Sequence, residues 1–241
     1  MTHSKKRIGS LETIEVPGAA GSGAIVCFHG FGANAEDLYP LHAHMNAPPG
    51  THWFFPDGIL ELAPNMPAPA PRAWWPIDEA ALQYALDRGT YRDLSGFAPP
   101  GMEAARTTAA SMIRELIGRG FPLDRITLLG FSQGAMLATE LTLRSRELFD
   151  QARPAGLAIL SGTLLDEKNW SALAGDHEHF RGFQFFQSHG VRDPILGFEA
   201  ARRLEQLLRA GDLTGEFVEF PGGHEIPPQV VARLGQYLTR F

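Results

Sequence analysis

The chain holds a single cysteine, Cys27, among its 241 residues. An intrachain disulfide is therefore excluded, and a reducing, cytoplasmic setting is the simplest expectation. Cys27 lies in the apolar run Ala24-Ile25-Val26-Cys27-Phe28. Nothing nearby would lower the thiol pKa, so it reads as buried and inert. Positive charge is also scarce: 21 Lys and Arg stand against 27 Asp and Glu, for a formal net charge of −6. Phosphate backbones are held by clustered Lys and Arg, so this balance argues against a nucleic-acid partner. The early basic run Lys5-Lys6-Arg7 leads into Gly9, Ser10, Glu12 and Glu15 rather than an apolar core. It reads as a solvated N-terminus, not as the start of a signal peptide. No uninterrupted apolar stretch approaches the roughly 18–20 residues that cross a bilayer, so no membrane span is expected. Internal repeats are absent as well.

What is present is the composition of an ordinary globule, with 44% hydrophobic and 20% charged residues. A chain of this length fits one α/β domain, since such domains run to about 250 residues. Short apolar runs alternate with helical patterns, the signature of βαβ units and a doubly wound, mostly parallel sheet flanked by helices. Strands are expected over 12–16, 24–29, 52–56, 125–130, 156–161, 182–188 and 216–220. Helices are expected over 101–117, 194–208 and 230–238. The first of these stops at Gly118-Arg119-Gly120, which suits a left-handed C-cap. One segment breaks the alternation. Residues 57–100 are rich in proline and aromatics, including the run Pro64-Asn65-Met66-Pro67-Ala68-Pro69-Ala70-Pro71. Trp74, Trp75, Tyr84 and Phe97 carry too much apolar surface to leave in water, so the excursion is expected to be ordered as a cap rather than a linker.

The most informative motif is Gly130-Phe131-Ser132-Gln133-Gly134. It follows the strand-like Ile126-Thr127-Leu128-Leu129 and leads into the helical Ala135-Met136-Leu137-Ala138. A serine on such a sharp strand-to-helix turn exposes its hydroxyl, and flanking glycines leave room for the turn. Acyl transfer by serine then needs a base, a carboxylate that orients it, and two N–H groups for the oxyanion. Asp193 is the acid candidate, in the loop Ser188-His189-Gly190-Val191-Arg192-Asp193-Pro194. From position alone it reads equally well as a helix N-cap, with Pro194 at the first helical position. Asp166, Asp176 and Asp212 do not directly follow a core strand. His224, in Pro221-Gly222-Gly223-His224-Glu225, is the base candidate, and a plain surface-loop histidine is the alternative. Ser132, Asp193 and His224 stand in the order nucleophile, acid, histidine, each just past a strand. The N–H of Gln133 and that of Phe31, in the loop His29-Gly30-Phe31-Gly32-Ala33-Asn34, are the oxyanion donors expected by the same logic. Asn34 suits the N-cap of a helix from Ala35, and His29 reads as a brace for its loop. His42 and His44 do not share a helical face, and His177 and His179 have no further Cys or His pattern, so no metal is expected.

These motifs resemble the phospholipase/carboxylesterase family of α/β-hydrolases, which includes acyl-protein thioesterases and small bacterial carboxylesterases. The resemblance rests on His29-Gly30-Phe31-Gly32, on Arg72-Ala73-Trp74-Trp75-Pro76-Ile77-Asp78, on Asp124-Arg125-Ile126 leading to the serine motif, and on the loops carrying Asp193 and His224. It implies the α/β-hydrolase fold, the triad Ser132–His224–Asp193 and an oxyanion hole at Phe31 and Gln133. It also implies an acyl pocket lined or covered by Trp74 and Trp75, although core packing is as good a reading for at least one of them. Pro76 and Ile77 before Asp78 depart from the thioesterase pattern and leave the acyl-protein substrate open. The expected function is hydrolysis of carboxylic esters of small to medium acyl chains through an acyl-enzyme, without a cofactor. Thioesterase or lysophospholipase action on the same triad, and a non-catalytic ligand-binding role on the same fold, are the alternatives. Related proteins are often dimers, so a second copy is the one protein partner the resemblance suggests.

Overall fold

The computed structural model describes residues 4–66 and 69–241. Residues 67 and 68, inside the proline-rich run, lie outside them. The elements in chain order are β1 (Lys5–Ile8), β2 (Leu11–Val16), β3 (Ala24–Phe28), α1 (Ala35–Leu38), β4 (His52–Pro56), β5 (Leu60–Glu61), β6 (Arg72–Ala73), α2 (Glu79–Asp87) and α3 (Met102–Gly118). They continue with β7 (Ile126–Phe131), α4 (Gln133–Leu143), α5 (Ser145–Leu148), β8 (Gly156–Leu160), α6 (Glu167–Ala174), α7 (His177–Phe180), β9 (Gln184–Gly190), α8 (Phe198–Ala210), β10 (Thr214–Phe220) and α9 (Pro228–Leu238).

Eight strands form one sheet in the order β1-β2-β4-β3-β7-β8-β9-β10. β2 runs antiparallel to both β1 and β4. From β4 to β10 every pair is parallel. The chain steps from β3 outward to β4, then returns to the other side of β3 with β7. A doubly wound sheet opens a crevice at such a reversal, beyond the carboxyl ends of the two strands. The loops that leave β3 and β7 are those of Phe31 and Ser132.

The central strands are apolar on both faces, as strands covered by helices on both sides must be. In β3, Ala24, Val26 and Phe28 face one core with Met112, Leu116 and Leu137. Ile25 and Cys27 face the other, with Ala35, Leu38, Val230 and Leu234. Cys27 is buried and burial raises its thiol pKa, as expected of an inert cysteine. Among the described residues no helix is long and apolar enough to cross a membrane.

Several expectations need correction. The Lys5-Lys6-Arg7 run is not a loose solvated terminus. It is edge strand β1, and Lys5 Nζ reaches Asp57 Oδ2 at 2.6 Å. The helix expected over 194–208 begins at Phe198, behind Gly197, so Pro194 is not its first residue. The described residues of the excursion at 57–100 include a short hairpin of β5 and β6 and helix α2, capped by Asp78. The reason given for its order holds only in part. Trp74 and Trp75 are buried, but Tyr84 is 60% and Phe97 51% exposed. His42 lies in a 3-10 turn after α1, not in a regular helix, with His44 just beyond it.

Candidate active site

Ser132 sits between β7 and α4 with φ +54° and ψ −119°. That conformation is strained for a residue with a side chain and persists only where the surroundings hold it. The Ser132 N–H donates to the Leu160 carbonyl at 2.8 Å. Two glycines are required by close approach. A Cβ on Gly130 would lie 2.1 Å from the Gly134 carbonyl oxygen, and one on Gly134 would lie 2.0 Å from that of Phe28. Only bare backbone lets α4 start this close to β3.

The structure brings Ser132, Asp193 and His224 together from three separate loops. Ser132 Oγ lies 2.8 Å from His224 Nε2. His224 Nδ1 lies 2.6 Å from Asp193 Oδ2. A carboxylate accepts, so Nδ1 carries the proton and Nε2 presents a lone pair to the serine hydroxyl. The other Asp193 oxygen accepts the N–H groups of Ile195 at 2.8 Å and Leu196 at 3.0 Å. Asp193 thus caps no regular helix; it organises its own loop five residues before α8. Burial works against its charge, but the bonds from His224, Leu196 and Ile195 outweigh it and hold the carboxyl below its ordinary pKa. The loop after β10 is pressed against this one. A Cβ on Gly190 would meet the Gly223 carbonyl at 2.2 Å, and the Arg192 N–H donates to the Gly222 carbonyl at 3.0 Å. The Phe131 ring lies 4.9 Å from the His224 ring, centre to centre.

Phe31 and Gln133 line the same cavity as Ser132 and His224. Gln133 opens α4, so its N–H has no acceptor within the helix. In the loop after β3, Gly32 donates to Arg72 and Ala33 to Gly30, while the Phe31 N–H meets no protein acceptor among the described residues. Two free donors beside the serine hydroxyl can meet a developing oxyanion.

The two tryptophans part company. Trp75 lines the cavity, but Trp74 does not. Trp74 is wholly buried, its ring 5.3 Å from Phe28 and edge-on to it, with Nε1 donating to the His29 carbonyl at 2.9 Å. Its assignment to the substrate pocket is therefore corrected to core packing. Sequence reasoning also missed the Gln133 side chain. Its Oε1 accepts the Trp74 N–H and its Nε2 donates to the Trp75 carbonyl, both at 2.8 Å. The side chain of this residue thus ties the cavity wall to the elbow.

Two buried histidines support the loops. His29 Nδ1 donates to the Gly30 carbonyl at 2.8 Å and Nε2 accepts the Gly58 N–H at 2.8 Å, bracing its loop. Burial pushes its pKa down to about 4, so it is neutral near pH 7. His189, at the end of β9, places Nε2 2.9 Å from the Leu196 carbonyl and 3.3 Å from Asp193 Oδ2. Its place directly after the strand expected over 182–188 was visible in the sequence, but its contact with Asp193 was not. Among the described residues no three His, Cys, Asp or Glu side chains are grouped to hold a metal. His177 pairs with Asp212, and His179 with Ser145.

The cavity encloses about 670 Å³. Its walls are mainly apolar, with Ile77, Leu82, Leu94, Phe97, Met136 and Ile195 around Ser132 and His224. Much of its wall comes from residues 75–100 of the excursion.

A family model described as Phospholipase/Carboxylesterase matches residues 10–241. A probable carboxylesterase of Oryza sativa subsp. japonica is 28% identical over 222 residues, covering 89% of this chain and 76% of the relative. Acyl-protein thioesterase 1 of Neurospora crassa is 25% identical over 187 residues, covering 75% and 72%. The crystal structure of a phospholipase/carboxylesterase from Dyadobacter fermentans superposes with a TM-score of 0.68 at 21% identity, covering 99% of this chain and 98% of that one.

Proposed function

The chain belongs to the phospholipase/carboxylesterase family and is a carboxylic ester hydrolase of the α/β-hydrolase fold, and we propose that Ser132, His224 and Asp193 carry its reaction. The observation that supports this most is the continuous hydrogen-bonded chain, 2.8 and 2.6 Å, from a strained serine to a buried carboxylate.

Ser132 Oγ attacks the acyl carbonyl while His224 Nε2 takes its proton. The imidazolium that forms is stabilised by Asp193, whose charge is already secured by two backbone N–H groups. The oxyanion is met by the N–H groups of Phe31 and Gln133. Collapse of the tetrahedral intermediate breaks the ester C–O bond, and His224 returns its proton to the departing alcohol. Water then repeats the sequence on the acyl-enzyme, with His224 as base, and releases the acid. The apolar walls favour acyl chains of small to medium length, which the cavity volume accommodates. A thioester is open to the same attack, and the likeness to an acyl-protein thioesterase supports that second activity. The chain, residues 1–241, acts in this reading as one catalytic domain.

Ser132→Ala tests the assignment. Turnover of p-nitrophenyl butyrate should fall by roughly 10⁴–10⁶-fold, with the far-UV circular dichroism unchanged and labelling by a fluorophosphonate abolished. Near-normal turnover, or labelling at another residue, would overturn it. Paired O-butyryl and S-butyryl substrates then measure the ester and thioester activities separately.

A further inference from the structure

One cation faces the cavity, and the ester chemistry gives it nothing to do. Arg92 lies in the loop between α2 and α3 and lines the same space as Ser132 and His224. No other Lys or Arg does so among the described residues. Its Nη1 donates to the Asp78 carbonyl oxygen over a long 3.3 Å. Its Nε is shut off from solvent and has no hydrogen-bond partner among the described residues. Neither does it form an ion pair there. Its neighbour Asp93 is taken by Ser95 and Arg203 instead. Burial lowers the Arg92 pKa and the charge of Asp78 only partly opposes that, yet a guanidinium stays protonated. Nε is closed to the cavity as it is to solvent, so a ligand meets the guanidinium through its terminal nitrogens, which hold only the long bond to Asp78 among the described residues.

Among the described residues Asp78 is the one carboxylate on the cavity wall. Its Oδ1 accepts the Ala81 N–H at the start of α2, where the helix terminus favours negative charge. Arg92 bonds its carbonyl, not its carboxylate. Of the two charged groups, only the guanidinium can receive a carboxylate. A carboxylate matches the guanidinium fork with two parallel bonds.

We propose that Arg92 is a specificity residue that receives a carboxylate carried by the substrate away from the scissile bond. The enzyme then prefers carboxylate-bearing esters, such as monoesters of short dicarboxylic acids, over neutral esters of equal length. This rests on the reading of Ser132 as the nucleophile of that cavity.

The test compares p-nitrophenyl hydrogen glutarate with p-nitrophenyl valerate, and 4-carboxyphenyl butyrate with phenyl butyrate, to separate the acyl from the alcohol end. In the wild type at least one anionic ester should have the higher kcat/KM. Arg92→Met should lower the anionic-to-neutral ratio for that pair by about 10–100-fold, the range expected for hydrogen bonds to a charged group, mainly through KM. Arg92→Lys should keep part of the preference. Calorimetry with free glutarate supplies a readout that needs no turnover: wild type binds it, and Arg92→Met binds it at least tenfold more weakly. An unchanged ratio in Arg92→Met, an equal fall on charged and neutral esters, or tighter binding of inorganic phosphate than of glutarate each overturns the proposal. Failure of Ser132 to label with a fluorophosphonate while glutarate binding still depends on Arg92 would instead sink the ester assignment.

Discussion

Gln133→Met separates the two jobs assigned to one residue. Methionine keeps the length and nearly the volume of glutamine, and the backbone N–H is untouched. What disappears is a pair of 2.8 Å bonds, one to the Trp74 N–H and one to the Trp75 carbonyl. Gln133, Trp74 and Trp75 are all buried, so water cannot replace the lost partners. Each orphaned group costs about 1–3 kcal/mol, which makes the expected loss of stability about 2–6 kcal/mol. Urea unfolding at constant slope reads that loss as a lower midpoint. Activity should respond differently. Trp75 lines the cavity, so its release should raise KM for p-nitrophenyl butyrate. The fall in kcat should stay far smaller than that of Ser132→Ala, because the oxyanion donor remains. Gln133→Glu serves as a control. It keeps an acceptor for Trp74 but sets a second oxygen against the Trp75 carbonyl, and should be no more stable than the methionine variant. A loss below about 0.5 kcal/mol, the range of ordinary surface substitutions, together with an unchanged KM, would refute the clamp.

Asp193→Asn should keep the Ile195 and Leu196 bonds but turn an amide donor toward His224, stabilising the wrong tautomer. A loss of about 10⁴-fold in kcat is expected, and a loss under tenfold in steady-state assays would refute the role of Asp193. His29→Gln should flatten the acid side of the stability curve. His29 has a pKa of about 4 in the folded chain against 6.5 when unfolded. As pH falls from 6.5 to 4, the unfolded state gains a proton that the folded state refuses, so stability drops by about 3 kcal/mol. Buried His189, whose pKa is also lowered by burial, adds loss in the same direction. Urea midpoints at pH 7.5 and 4.5 should therefore differ less in the variant than in the wild type, and equal differences would exclude His29 as the source. Gly134→Ala places a Cβ 2.0 Å from the Phe28 carbonyl and should prevent close docking of α4. The readout is a lowered Tm or insoluble protein, and a wild-type Tm would show that the backbone yields there.

The parts of the site that could be read from the chain are those with a local signature and a topological reason to converge. Ser132, Asp193 and His224 each follow a strand, and parallel strands deliver their carboxyl ends to one edge of the sheet. The apolar runs of β3, β7 and β8 are continuous because helices cover both faces, so their positions were also plain. What stayed hidden depends on contacts between residues distant in sequence. Lys5 looked like a free terminal charge because Asp57, its partner, is 52 residues away. Trp74 and Trp75 are adjacent and alike in composition, yet one is core and one is wall. Both are tied to Gln133, which lies 59 and 58 residues further along and holds the Trp74 N–H and the Trp75 carbonyl. Tyr84 and Phe97 misled in the opposite direction: an aromatic count in a proline-rich segment measures surface that needs cover, not whether it receives any. Phe97 is half exposed because one of its sides faces the cavity. The wall of the pocket is thus supplied by the segment whose pattern was least regular, and it is held by the side chain of the residue whose backbone was assigned to catalysis. The Gln133 side chain holds the wall at Trp75 while its backbone opens α4 beside Ser132, so substitutions that reshape the wall at Trp75 should also reach the elbow.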